Sequence, residues 1–263
     1  MKVIFTQIDT ACVRIDIGGF VILTDPAFDK AGGTYQSGSG RSLHKTGSPA
    51  LDPAHLGHVD LVVLSHDQHK DNLDNAGREF IKTVPLVIST LEAQDRLGQD
   101  NVRGIAEWNE QPLETPLVKN LRVTGTPARH GSTEALHKVA GHVLGFVIEW
   151  DGQENGALYI SGDTVHFAGV LEVGRRFRID TALLHIGRAG FPKEIGNEYL
   201  TFTTEEAIEA ARALKVNKLM PTHMQGWEHF QETPVYTREH IRESDQGPHL
   251  VWLTPGEPVA VEI

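Results

Sequence analysis

Five apolar runs in this 263-residue chain each end by delivering a histidine or an aspartate. Leu61-Val62-Val63-Leu64-Ser65 leads into His66-Asp67-Gln68-His69-Lys70-Asp71-Asn72, and Leu121–Arg129 leads into His130. Ala157–Gly162 leads into Asp163, Thr181–Leu184 into His185, and Lys218–Thr222 into His223. Imidazole and carboxylate are the ligand set of zinc, iron or manganese. Open α/β sheets gather their ligands outside the carboxyl ends of the strands. Each residue also has an ordinary explanation: Asp71 or Asp163 could cap a helix, His69 could be a solvated loop residue, and a lone histidine is usually structural. Those explanations are independent of one another, whereas one metal centre accounts for all five events.

The elements that would position these residues can be read from pattern. Val3–Ile8, Cys12–Ile17 and Phe20–Leu23 read as strands, with a hairpin signal at Gly18-Gly19. Residues 27–58 are rich in Gly, Ser, Pro and His, which predicts a long loop over a site. Leu61–Leu64, Leu86–Ile88, Leu121–Thr126, Val143–Trp150, Ala157–Ile160 and Thr181–Leu184 follow as strands. Helices are predicted through Phe80 and Ile81, over Thr90–Leu97 before Gly98, over Val170–Phe177, over 204–215 and over 237–244. Thr203 and Glu206 fit a capping box for the fourth of these. Leu219-Met220 precedes Pro221, and Leu250–Leu253 with Val259–Ile263 read as closing strands. No linker divides the chain, so residues 1–263 read as one domain, and the order of elements suits two sheets with helices outside.

Composition narrows the class. Apolar residues make up 40% and charged residues 22%, ordinary for a globular protein and not for a disordered or fibrous one. Lys+Arg 24 against Asp+Glu 35 gives a net charge of −11, which disfavours a nucleic-acid surface and leaves a small anionic substrate open beside bound cations. The single Cys12 excludes an intrachain disulfide and a cysteine-based zinc site. Neither a signal-peptide pattern at Met1–Gln7 nor a membrane-length apolar run is found, so a cytoplasmic protein without membrane partners is expected, with a homo-oligomer left open.

Thr24-Asp25-Pro26, the segment Ser65–Asp74, His130, Ser161-Gly162-Asp163-Thr164 and Pro221-Thr222-His223 resemble the ordered motifs of the metallo-β-lactamase-fold superfamily. The nearest in flavour is the branch of L-ascorbate-6-phosphate lactonase and N-acyl-phosphatidylethanolamine phospholipase D. The resemblance runs from about residue 3 to 230 and implies an αββα sandwich, two mixed β-sheets with helices on the outer faces, holding one or two divalent metals, zinc first and manganese or iron as alternatives. It implies His66, His69 and His130 as ligands of a first metal, Asp71 and His223 as ligands of a second, and Asp163 as the bridging carboxylate. The family hallmark, His-x-His-x-Asp-His, is altered here: one extra residue separates His66 from His69, and Asn72 stands where the last histidine belongs. His185 is the candidate substitute, with a supporting or substrate-contacting role as the other reading. Asp25 is expected to orient an imidazole, and His166 and Arg188 to contact substrate.

Such a centre, with an open position, brings the pKa of bound water toward 7 and polarises the bond under attack. Asp71 or Asp163 would handle the proton. The expected activity is hydrolysis of an ester, lactone, amide or phosphoester in a small substrate, with Arg41, His44 and Lys45 of the 27–58 loop offering cations to an anionic one. The alternative is a non-catalytic, metal-binding member of the same fold, to which the inserted residue and Asn72 point.

Overall fold

The computed structural model describes residues 1–36 and 42–263, so Arg41 lies outside the described residues. Its strands are β1 (Lys2–Asp9), β2 (Cys12–Ile17), β3 (Phe20–Thr24), β4 (Thr34–Gln36), β5 (Ser42–His44), β6 (Leu61–Val63), β7 (Leu86–Thr90), β8 (Val102–Ile105), β9 (Glu110–Pro112), β10 (Arg122–Pro127), β11 (Leu144–Glu149), β12 (Ala157–Ile160), β13 (Ile179–His185), β14 (Lys218–Thr222) and β15 (Pro258–Glu262). The α-helices are α1 (Asn75–Phe80), α2 (Leu91–Leu97), α3 (Glu134–Ala140), α4 (Ala168–Arg176), α5 (Pro192–Ile195), α6 (Thr204–Leu214) and α7 (Pro234–Glu243).

One sheet runs β15-β1-β2-β3-β6-β7-β8 and the other β14-β13-β12-β11-β10-β9. Their inner faces meet in a core that includes Val3, Phe5, Ile15 and Ile22 from the first sheet and Val123, Phe146, Leu158 and Leu183 from the second. The outer face of the second sheet packs Ala182, Leu184 and Leu219 against Val170, Val173, Ile208, Leu214 and Ile241 of α4, α6 and α7. The outer face of the first packs Leu23, Val62 and Val87 against Leu73, Ile81 and Val84. These are the four layers of the αββα sandwich. β13 is buried on both faces along its whole length, so its sequence shows no inward–outward alternation and Ala182-Leu183-Leu184 reads as a continuous apolar run.

Local chemistry sets the boundaries. Gly18 and Gly19 both take positive φ (59° and 97°), as a tight hairpin between β2 and β3 requires. Thr90 caps α2, and Gly98 closes it in the left-handed conformation. Thr203 and Glu206 form the expected capping box on α6. Pro221 lies inside β14 instead of ending it, because β14 is an edge strand and can spare an N–H.

Residues 250–253 do not form the expected strand. Val251 donates one backbone bond to Leu219, then the turn at Thr254–Glu257 carries the chain to β15, which pairs antiparallel with β1. β8, β9, α3 and α5 are short, at most 7 residues, so periodicity passes over them.

The 27–58 loop contains the β4–β5 hairpin and is stitched to the segment after β14. Thr46 donates to the Gly226 carbonyl, Glu228 donates to the His44 carbonyl, and Lys45 bridges Trp227. No helix among the described residues is long and apolar enough to cross a membrane.

Candidate metal centre

Sheet direction explains why the ligands converge. β12, β13 and β14 are adjacent and parallel, so Asp163, His185 and His223 emerge side by side at one rim. β10 is antiparallel to β11, which is antiparallel to β12, so His130 leaves at the same rim. β6 delivers His66 and His69 from the facing sheet.

Two compact groups result: His66, His69 and His130, and Asp163, His185 and His223, with ligand atoms in each within 4.8 Å of one another. In the first, His69 Nδ1 lies 3.0 Å from His66 Nε2 and 3.1 Å from His130 Nε2. Tetrahedral ligands at Zn–N 2.0–2.1 Å would stand about 3.3 Å apart, so the spacing fits one shared cation. His130 Nδ1 donates to the Leu200 carbonyl at 2.8 Å, which leaves its Nε2 lone pair facing the centre. Ser65 Oγ lies 2.8 Å from His66 Nδ1. Burial holds all three imidazoles below their ordinary pKa, His69 at about 4, so they keep the lone pairs that a metal needs.

The inserted residue does not displace His69. Asp67 is buried and held by Arg78 of α1 and Arg96 of α2, with Arg96 Nε 2.9 Å from Oδ1. Gln68 donates to the carbonyls of Ala140 and His142. The extra length is thus tied down on both sides of the turn.

Asp163 faces both groups. Its Oδ2 lies 3.9 Å from His66 Nε2 and from His130 Nε2, while its Oδ1 lies 2.8 Å from His185 Nδ1 and 3.5 Å from His223 Nε2. Burial would raise its pKa, but His223, the His185 hydrogen bond, His130 and His66 outweigh that and hold it far below the usual range. Burial would likewise lower His223, but Asp163 and Asp71 raise it to about 9. Neither candidate cap is a cap: α4 starts at Ala168 after Phe167, and α1 is capped by Asp74.

Asp71 stands at the edge of the second group. His229 Nε2 donates to its Oδ2 at 3.0 Å, and His223 Nε2 lies 3.4 Å from the same oxygen. Burial is again overcome, and the two histidines keep Asp71 well below the usual carboxylate range. Asp25 has φ 31° and its Oδ1 accepts from the Ser65 N–H at 2.6 Å, so it braces the start of the ligand loop. Its other oxygen faces Asn72 Nδ2 at 3.5 Å and His185 Nε2 at 3.7 Å, and burial raises its pKa to about 6.

His229 is absent from the sequence reading. It follows no strand, lying in the Gln225–Phe230 loop, and only the fold carries it to Asp71. His166 and Arg188 are not brought into either group. His166 Nδ1 lies 3.4 Å from Glu209 of α6, and Arg188 donates to the Asn197 carbonyl. His166→Ala is therefore expected to leave metal content unchanged and to cost at most about 1 kcal/mol, read by elemental analysis and a thermal melt. Loss of metal would promote it from an expected substrate contact to a ligand. Lys45 is also reassigned: its ammonium is buried on Asp9 and is not offered to an anionic substrate, while His44 sits near Thr34 and Glu228.

The buried atoms His185 Nε2, His223 Nε2 and Asn72 Oδ1 have no hydrogen-bond partner among the described residues. Unpaired polar atoms at such depth are costly, and a cation bound among them would satisfy them. The residues present therefore fit a metal.

The chain is similar to known proteins over most of its length. The family described as Beta-lactamase superfamily domain matches residues 21–224. A UPF0173 metal-dependent hydrolase of Pelotomaculum thermopropionicum is 29% identical over 217 residues, covering 81% of this chain and 87% of that protein. Its counterpart in Natranaerobius thermophilus is 27% identical over 249 residues, 94% of each. Among solved structures, an isothiocyanate hydrolase from Delia radicum gut bacteria superposes with a TM-score of 0.81 at 22% identity over the whole of both chains. A possible metal-dependent hydrolase from Veillonella parvula superposes at 0.79 and 21%, covering 98% of this chain and 99% of that one. The family match spans residues 21–224, most of the chain: the protein belongs to the beta-lactamase superfamily.

Proposed function

We propose that the protein is a metal-dependent hydrolase acting on a small molecule, with His66, His69, His130 and Asp163 holding a metal, zinc by the chemistry of that donor set. The observation that carries this reading is the convergence of three imidazole nitrogens, with His69 Nδ1 3.0–3.1 Å from the other two. The relatives named metal-dependent hydrolases support it. A metal there supplies Lewis acidity and an activated water at neutral pH.

The chain's own residues do the rest. Asp163 is committed on both oxygens and serves to hold, not to shuttle protons. Asp71 fixes the tautomer of His229: Nε2–H donates to the carboxylate, and Nδ1 is left with a lone pair and no partner. The Asp71–His229 pair is therefore the proton acceptor of the reaction. Phe191 stacks on the His229 ring at 5.5 Å, and Phe230 and Trp227 lie against it, which keeps water from its faces. The lone, buried Cys12 suits a reducing, cytoplasmic setting.

With Lys45 spent on Asp9 and aromatic rings around His229, an uncharged electrophile is a second reading beside the lactone and phosphoester classes. The fold neighbour named isothiocyanate hydrolase puts that functional group in the same test. Metal-loaded protein is assayed on a panel of esters, lactones, amides, phosphoesters and isothiocyanates. Turnover of at least one class, abolished by chelation and by His130→Ala, is expected. Full metal occupancy with no turnover across the panel would leave the non-catalytic, metal-binding alternative.

A further inference from the structure

We propose that this chain has rebuilt its second metal site, with His185 supplying the imidazole that position 72 lacks and Asn72 serving as a strut between the carboxylates. The inference deepens the functional reading above and rests on its first metal centre.

Asn72 and His185 flank the same two oxygens from different elements. Asn72 Nδ2 lies 3.2 Å from Asp163 Oδ1 and 3.5 Å from Asp25 Oδ2. His185 Nδ1 lies 2.8 Å from that same Asp163 oxygen, and its Nε2 lies 3.7 Å from that same Asp25 oxygen. Because both partners of the Asn72 amide are carboxylates, its NH2 group must face them. An amide in that orientation ties Asp25 to Asp163 and gives the second group no imidazole.

His185 is placed to make up the loss. It ends β13, between the strands that deliver Asp163 and His223, and its ring lies parallel to His223 at 5.3 Å and 17°. It is fully buried, as are Asp163 and His223, and the three form one of the two groups compact enough to hold an ion. If His185 served only to orient Asp163, one nitrogen would be used and the other would stay buried and unpaired beside a carboxylate. The His223 Nε2 atom shows the same deficit while lying 3.4 Å from Asp71 and 3.5 Å from Asp163. One cation among these groups satisfies both. Two imidazoles with flanking carboxylates suit zinc and also harder divalent ions.

The test reads metal stoichiometry and affinity, not turnover. Metal-stripped protein is titrated with zinc and with manganese, and bound metal per chain is measured by mass spectrometry for the wild type, His185→Ala, the closer-sized His185→Asn, and the double variant Asn72→His/His185→Ala. Two metals are expected in the wild type. Both single variants should retain one metal at wild-type affinity and lose at least about 100-fold at the second site, since even losing a residue that only supports a ligand costs 10–100-fold. The double variant should recover the second metal. Two metals retained by both single variants would overturn the proposal, as would a wild type that binds one metal with the same titration as His185→Ala; the hydrolase reading survives either result. A wild type that binds no metal would overturn both.

Discussion

Asp163→Ala is expected to bind at most one metal per chain and to lose at least about a thousandfold in kcat/KM on whichever substrate is turned over. The figure follows from the several kcal/mol that a catalytic metal contributes at 1.36 kcal/mol per tenfold. The size comes from position: one carboxylate spans both groups, with Oδ2 toward His66 and His130 and Oδ1 toward His185 and His223. Its removal also takes away the strongest of the influences that raise the pKa of His223 against the effect of burial. Elemental analysis and kinetics check this, with Asp163→Asn as the control of nearly equal size. The amide should preserve packing yet fail as a bridge, so its metal content should fall with that of the alanine variant. A variant that keeps full metal would remove Asp163 from the centre.

The second large effect is expected at a buried ion pair outside both candidate metal groups. Lys45→Met should destabilise the fold by about 3–5 kcal/mol, the cost of stranding one partner of a buried ion pair. The Lys45 side chain is 0% exposed and that of Asp9 4%, so water cannot rescue the carboxylate. Lys45 Nζ also lies 4.8 Å from the Trp227 ring, and its backbone is bridged to Trp227, so the loop over residues 226–228 should loosen as well. Denaturant unfolding measures the loss. The double variant Asp9→Leu/Lys45→Met should regain much of it, because an apolar pair strands no charge. If the single variant unfolded at the wild-type midpoint, the pair would not be holding the loop.

Much of the αββα sandwich was legible in sequence because its strands are buried on both faces. Such strands show no inward–outward alternation, and the polar residue that ends or follows each apolar run stands out by contrast, as at His66, His130, Asp163, His185 and His223. Capping chemistry was equally local, as Thr203 with Glu206 and Gly98 show. The residues that escaped notice, or were assigned otherwise, share a different property. His229 follows no strand, and its partner Asp71 lies 158 positions away along the chain. Lys45 carries no mark that distinguishes a buried counter-ion of Asp9 from a loop cation awaiting an anion. His166 sits three positions after Asp163, yet its ring faces Glu209 of α6.

The sequence by itself determined which residue types stand at the strand ends, and hence the donor set and the class of chemistry. Only the tertiary structure decided how those donors divide. Parallel pairing of β12, β13 and β14 places His185 between Asp163 and His223, whereas face-to-face packing of the two sheets brings His66 and His69 to His130. The physical reason is that donor identity is carried by single residues, while which donors meet depends on which strands lie side by side, in which direction, and how the two sheets pack face to face, a property of the whole sandwich.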